Sequence, residues 1–398
     1  MDLRAGFPLW LVRDGLPFSF PKLNKDLETD VLIIGGGITG ALVRHHMAEA
    51  GIATVTVDAR TIGLGSTCAS TSLLQYEIDT PLWKLRELVG REKADRAYHL
   101  CNQAIVQLAE MSGKIGYKEF FHRDSLYFAA YKKDVRDLKK EFDARQEAGF
   151  DVRWLEGKDV RREFGFDAPA AILSHHGAEA NAYQLMHTLM QKFPNHPVFD
   201  RTKILSAIPL GKGMVATTST GHKIRAKKVV YATGYEVVEV LDKPIVKLLS
   251  TYALASEHQQ NLPAWKGSTL LWNTADPYLY IRATADGRII VGGRDEEFYS
   301  PVKRDKLIKR KSVQLVNDFK KLYPEIDLVA EFSWAGTFGS TKDGLPFIGV
   351  YDKMPNSYFA LGFGGNGITF SQVAAKLLVD LYKGIKNSDL EIFSFDRE

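Results

Sequence analysis

Residues 30–58 read DVLIIGGGITGALVRHHMAEAGIATVTVD. Asp30–Ile34 has the pattern of a buried strand, and the spacing from Ile38 to Ala50 is that of a helix. Ala53–Val57 is a second strand. Strand, glycine turn, helix and strand make a βαβ unit. The turn, Gly35-Gly36-Gly37-Ile38-Thr39-Gly40, is a GxGxxG pattern in the context that gives it meaning. Gly35 permits the tight turn, Gly37 lets backbone approach a pyrophosphate, and Gly40 lets helix and strand pack closely. The helix start at Ile38 and Thr39 offers N–H groups and a positive dipole end to phosphates. Asp58 closes the second strand, 23 residues after Gly35. A carboxylate there accepts ribose hydroxyls and repels a 2′-phosphate.

Beyond Asp58 the chain runs Ala59-Arg60-Thr61-Ile62-Gly63-Leu64-Gly65-Ser66-Thr67-Cys68-Ala69-Ser70-Thr71-Ser72. It is small, hydroxyl-rich and almost uncharged, which suits a loop passing close to phosphates and a flat ring. Ala59, Arg60, Gly65, Ser66, Thr67, Thr71 and Ser72 join the expected nucleotide site.

The chain as a whole bounds the alternatives. Its 398 residues suggest two or three domains. A hydrophobic share of 45% and a charged share of 25% exclude wholesale disorder. A net charge of +4 is too small and dispersed to imply nucleic acid. Cys68 and Cys101 cannot build a disulfide framework or a four-thiolate zinc site. His175-His176 near Glu179 lack a third ligand, so no metal is expected. The N-terminal residues are too charged for a signal peptide, and the uncharged run Met354–Ala375 is too rich in Gly, Asn and Ser for a membrane span. The reading is a cytoplasmic protein with no transmembrane segment.

Residues 1–27, with three prolines, read as an N-terminal arm on the surface. Helices are expected over 84–112, 132–148, 183–193, 304–322 and 367–383. Strands are expected at Ser125–Ala130, Asp151–Leu155, in a meander over 198–233, in a block over 250–298, and near Ser357–Leu361. The last strand of the meander enters Ala232-Thr233-Gly234. Gly362, Gly364, Gly365 and Gly367 open the final helix and suit close backbone approach to an anion.

Taken together these motifs resemble the FAD-dependent oxidoreductase family of D-amino-acid oxidase, glycine oxidase and sarcosine oxidase. The resemblance runs over most of the chain in family order. It rests on Asp30–Gly40, Asp58, Gly65-Ser66-Thr67, Val229–Gly234 and Tyr280-Ile281-Arg282 with Asp286-Gly287-Arg288. Trp334-Ala335-Gly336, Thr341–Gly349 (TKDGLPFIG) and Gly362–Thr369 (GFGGNGIT) complete it. YIR followed by DGRIIVGG is most similar to the γ-glutamylputrescine-oxidase-like branch, whereas GSTCASTSLL resembles FAD-dependent glycerol-3-phosphate dehydrogenases.

The resemblance implies a fold of class α/β plus β: a Rossmann-like FAD-binding domain with an interleaved α+β substrate domain on a mostly antiparallel sheet. The FAD domain would take residues 28–82, 152–240 and 342–398, and the substrate domain 83–151 and 241–341. It implies that the last glycine loop, with Asn366, Ile368 and Thr369, gives backbone N–H groups to the flavin, and that the helix from Gly367 points its positive end there. It adds Gly336 at the flavin and a backbone contact to adenine at Lys203. Relatives that form a covalent flavin link through cysteine would place it at Gly336, so FAD is expected to bind non-covalently.

One departure bears on substrate. Where glycine oxidase has a carboxylate-binding arginine, this chain has Phe338. Arg282, on the strand face of Tyr280, reads either as a replacement or as a salt-bridged structural arginine. Tyr278 and Tyr280 read as substrate-site or core aromatics; no catalytic base is named. The implied activity is hydride transfer to flavin N5 from a small amine or amino-acid-like substrate, with O2 or another electron acceptor. The alternatives are a 2-hydroxy-acid or glycerol-3-phosphate-type dehydrogenase, and a flavin-binding subunit with little activity of its own.

Overall fold

The computed structural model describes residues 1–239, 241, 244–259 and 268–397. The chain begins with a short strand β1 (Arg4–Gly6) and helix α1 (Leu9–Asp14), then the βαβ unit β2 (Leu27–Ile34), α2 (Ile38–Glu49) and β3 (Thr54–Val57). Next come β4 (Leu73–Leu74), α3 (Leu82–Val89), α4 (Arg91–Ile115), β5 (Phe121–Phe128), α5 (Val135–Glu147), β6 (Val152–Glu156), α6 (Gly157–Phe164), β7 (Ala170–Glu179) and α7 (Ala182–Gln191). The following strands are β8 (Val198–Phe199), β9 (Ile204–Leu210), β10 (Gly213–Thr218), β11 (Lys223–Tyr231), β12 (Lys247–Ser256), β13 (Leu270–Asn273), β14 (Tyr280–Ala283) and β15 (Ile289–Glu296). Last are α8 (Pro301–Leu322), β16 (Ala330–Ser340), β17 (Phe347–Val350), β18 (Ser357–Leu361), α9 (Gly367–Lys383) and α10 (Asp389–Ile392).

Two sheets organise the molecule. One has eight strands in the order β17-β18-β11-β2-β3-β8, extended from β11 by β10 and β9. Its centre, from β18 to β8, is parallel. Val31, Leu32 and Ile33 of β2 are all fully buried, as a strand covered on both faces requires. Helix α2 packs against α7 and α9. The other sheet has ten strands, in the order β1-β16-β12-β15-β14-β13-β5-β7-β4, with β6 beside β7. It is antiparallel apart from the parallel β13–β5 pair, so it is mixed. Helix α8 covers β12, β15 and β16, burying Leu315 and Phe319 against Leu254, Ile281 and Val291.

Three expectations are corrected. The N-terminal residues are not a surface arm: β1 pairs with β16, Arg4 opposite Gly336, and Leu9 and Trp10 are fully buried. A three-residue strand is too short to show alternation, so its pairing partner decides it. The helix over 84–112 is two helices, because Gly90 takes φ +85° and breaks the ladder. Residues 152–179 do not join the nucleotide-binding sheet. Strands β6 and β7 pair with each other, and β7 with β5, in the ten-stranded sheet.

Candidate active site

The walls of a cleft of about 310 Å³ come from both sheets. The βαβ turn supplies Gly35, Gly37, Ile38 and Thr39, and the end of β3 supplies Asp58, Ala59 and Arg60. The following loop adds Gly65, Ser66, Thr67, Thr71 and Ser72, and the end of β11 adds Ala232, Thr233 and Gly234. The ten-stranded sheet contributes Thr251, Tyr280, Asp295, Gly336 and Phe338, with Tyr278 just before β14. Gly364, Gly365, Gly367 and Ile368 close the cleft at the start of α9.

The turn is fixed by sterics and by side chains from outside it. A Cβ on Gly40 would stand 1.8 Å from the Gly35 carbonyl oxygen, and one on Gly35 2.2 Å from the Ala232 oxygen. Gly40 therefore serves helix–strand packing and does not itself line the cleft. The first turn of α2 would leave N–H groups unpaired. Thr67 Oγ1 accepts one of them, from Ile38, at 3.0 Å. The Asp58 carboxylate accepts the amides of Gly36 and Arg60, each at 2.7 Å, which fastens the turn to the end of β3. Burial pushes the Asp58 carboxyl up, and those two amides oppose the shift. Among the described lining residues Arg60 is the one cation, and it is paired with Glu236 at 2.6 Å.

The hydroxyl-rich loop is held by its carbonyls. Trp334 Nε1 donates to the Ala69 oxygen at 2.9 Å, and Trp10 Nε1 to the Ser70 oxygen at 2.6 Å. Arg282 Nη1 donates to the oxygens of Thr71 at 3.2 Å and Ser72 at 2.9 Å. It also reaches the Ala180 oxygen at 2.9 Å, and Nε lies 3.4 Å from Glu179. Four successive carbonyls are thus tied to three distant elements. Arg282 is buried beneath the loop and outside the cleft lining, with Nε and Nη1 donating to backbone oxygens, which argues for the structural reading over the substrate one. The strand face is the one expected; the depth is not.

The last glycine loop also departs from expectation. The Gly365 amide donates to Asp79 Oδ2 at 2.8 Å, so this N–H is already engaged by the protein. Asn366 is directed away from the cleft wall: its Nδ2 donates to the oxygens of Gln75 at 3.1 Å and Glu77 at 2.7 Å. Thr369 caps backbone through the Asn366 oxygen at 3.0 Å, and neither it nor Gly362 lines the cleft. Gly367 and Ile368 do line it, at the first residues of α9. Lys203 is exposed and outside the lining, next to Thr202, whose amide donates to the Asp58 oxygen at 2.7 Å.

On the sheet wall the Tyr280 ring lies over its cross-strand partner Gly292, where a Cβ would meet the ring at 2.1 Å. Beyond Gly292 the pairing with β12 slips. Tyr252 faces Gly293 and Ser250 faces Glu296, so Arg294 and Asp295 both stand opposite Thr251. Arg294 adopts φ +59°, in the left-handed region. Such a bulge re-aims the side chains that follow it. Arg294 turns to Asp318 at 2.6 Å, and Asp295 lines the cleft with a hydrogen bond to Thr251. Strand alternation read from sequence passes over Asp295, Thr251, Tyr235 and Gln75, because only tertiary contacts bring them to this wall.

The residues present fit FAD. The cleft joins a nucleotide turn to a wall of small residues and aromatic rings, and Thr233 Oγ1 is buried there without a partner among the described residues. Both cysteines are buried and absent from the lining.

Known proteins are similar to this chain over most of its length. The model of the family described as FAD dependent oxidoreductase matches residues 30–381. The chain is 22% identical to the gamma-glutamylputrescine oxidoreductase of Escherichia coli over 386 residues, covering 92% of this chain and 86% of that protein. It is 24% identical to the glycine oxidase of Bacillus licheniformis over 382 residues, 93% and 97% of the two chains. The crystal structure of glycine oxidase from Geobacillus kaustophilus superposes with a TM-score of 0.78 at 19% identity, over 94% of this chain and 99% of that one.

Proposed function

The chain belongs to the FAD-dependent oxidoreductase family, and from that premise we propose that it oxidises a small amine or amino-acid-like substrate within the cleft. The observation that carries this reading is the single cleft shared by the βαβ turn and the Tyr278–Tyr280–Phe338 wall. Cofactor and substrate would meet there. Bound FAD supplies a two-electron acceptor. The turn at Gly35–Thr39 and the start of α2 receive phosphates. Asp58 keeps lone pairs for ribose hydroxyls beyond the two amides it already accepts. The start of α9 sets its positive end against the cleft at Gly367 and Ile368. Phe338, Tyr278 and Tyr280 exclude water from the reacting carbon and orient it.

A glycerol-3-phosphate or hydroxy-acid reading would need a free cation on the wall. Among the described residues Arg60, the lining cation, is paired with Glu236, and Arg282 is committed to the loop.

The test is flavin content of the purified protein, followed by anaerobic addition of amines, amino acids and hydroxy acids. Bleaching of the visible flavin band by an amine or amino acid supports the reading, and reoxidation in air separates an oxidase from a dehydrogenase. Bleaching by hydroxy acids alone, or failure to take up FAD, contradicts it.

A further inference from the structure

Resting on that amine-oxidising reading, we propose that the sheet wall of the cleft is a receptor for a cation, and that the substrate enters as an ammonium with no carboxylate beside the reacting carbon. Asp295 is the anchor, flanked by Tyr278, Tyr280 and Asp79.

Four observations carry this. Asp295 lines the cleft half-buried, and its Oδ1 is buried with no hydrogen-bond partner among the described residues. An unpaired carboxylate oxygen in such a place costs stability unless a ligand supplies a donor or positive charge. Second, the nearby protein cation does not neutralise it: Lys311 is spent on Glu296 at 2.7 Å and the Arg294 oxygen at 2.8 Å. Third, a second carboxylate lies beside the lining residues Gly365 and Tyr278. Asp79 is exposed, and its field adds to the push on the Asp295 carboxyl. A Cβ on Gly365 would stand 2.6 Å from Asp79 Oδ1 and 3.1 Å from the Tyr278 hydroxyl, so both groups reach the same glycine.

Fourth, the rings of Tyr278 and Tyr280 lie 5.6 Å apart at 47°, two walls of an aromatic corner. Aromatic faces with carboxylates are the chemistry that holds ammonium ions. The bulge at Arg294 is what turns Asp295 into this corner, and strained backbone of that kind concentrates at ligand sites. An entering carboxylate would meet Asp295 and Asp79 with like charge, and Phe338 offers it no donor.

Tetramethylammonium and pivalate test this, since they share shape and oppose in charge, and neither is oxidised. Each is titrated into the FAD-loaded protein, following the flavin spectrum and the heat of binding. The expected result is saturable binding of tetramethylammonium, none of pivalate, and at least about tenfold weaker tetramethylammonium binding in Asp295→Asn with flavin content unchanged. Binding of pivalate in place of tetramethylammonium, binding of neither, or equal tetramethylammonium affinity in the variant overturns the proposal. If Asp295→Asn does not fold, the wild-type comparison of the two ions decides it. Loss of the amine-oxidising reading shows separately, as a protein that holds no flavin or is reduced by hydroxy acids alone.

Discussion

The amide of Gly365 donates to Asp79 over 2.8 Å, joining the last glycine loop to a residue 286 positions earlier in the chain. The loop that opens α9 is therefore not a free cradle. Its shape is imposed from the segment between β4 and α3, and a negative charge comes with it.

Removing that contact should loosen the cofactor before anything else. A hydrogen bond to a charged acceptor contributes about 1.5–3 kcal/mol, which is roughly 10- to 100-fold in an equilibrium constant. Asp79→Ala is expected to weaken FAD binding by about that factor, measured by titrating FAD into apoprotein. Asp79→Asn keeps a carbonyl acceptor for the amide and should recover most of the loss. Equal losses in both variants would show that charge, not the hydrogen bond, matters there.

Arg282 should behave as a positioning residue. Arg282→Met leaves the buried oxygens of Thr71, Ser72 and Ala180 without this donor, at about 1–3 kcal/mol for each carbonyl left unpaired. The expected outcome is a melting temperature several degrees lower and reduced FAD retention. The KM for amines, measured on the flavin-loaded fraction, should stay within about twofold. A selective rise in KM with normal flavin content would return Arg282 to the substrate site.

Two glycines should part company. In Gly40→Ala the new methyl has 1.8 Å to the Gly35 oxygen, so helix α2 must shift from β2. A loss of about 2 kcal/mol or more and failure to bind FAD are expected. Gly113 in α4 has nothing within 4 Å of its Cβ position, and Gly113→Ala should stabilise by about 0.5–1 kcal/mol. Denaturant titration of the three proteins compares them directly.

Asp295 makes a pH prediction for the ligand-free protein. Burial, with the field of Asp79 and Asp276 and against that of Lys311, pushes its carboxyl up to about 6. Its folded value lies above the unfolded one, so the stability it carries is full below the ordinary carboxylate range. That stability is lost as pH rises through about 6. Asp295→Asn should leave the melting temperature unchanged near pH 4 and raise it by about 2 °C at pH 8. An equal shift at both values would mean that the charge is compensated within the protein.

How much was legible follows from how local each signal is. The βαβ unit was readable because strand, turn, helix and Asp58 lie within one short stretch, each confirming the next. Asp343, in the TKDGLPFIG stretch, accepts the amide of Leu345, two residues on, at 3.0 Å. Asp295 was not readable, since period-two alternation in β15 fails at the bulge, and nothing local in Arg294-Asp295 announces it. Asp79 lies in a stretch without periodicity and gains its role only from Gly365. For Arg282 the alternation gave the face, while burial under the Ala69–Ser72 loop depends on how two sheets dock. The pairing of β6 with β7 was hidden for the same reason: neighbours in sequence do not reveal which sheet they join.

The most direct measurement is anaerobic reduction of the FAD-loaded protein by paired substrates. Mono- and diamines without a carboxylate are set against glycine, sarcosine and D-alanine, following the visible flavin band. The account predicts that at least one amine bleaches the band and that none of the amino acids does so at comparable concentration. Bleaching by the amino acids alone, or by neither group, would contradict it.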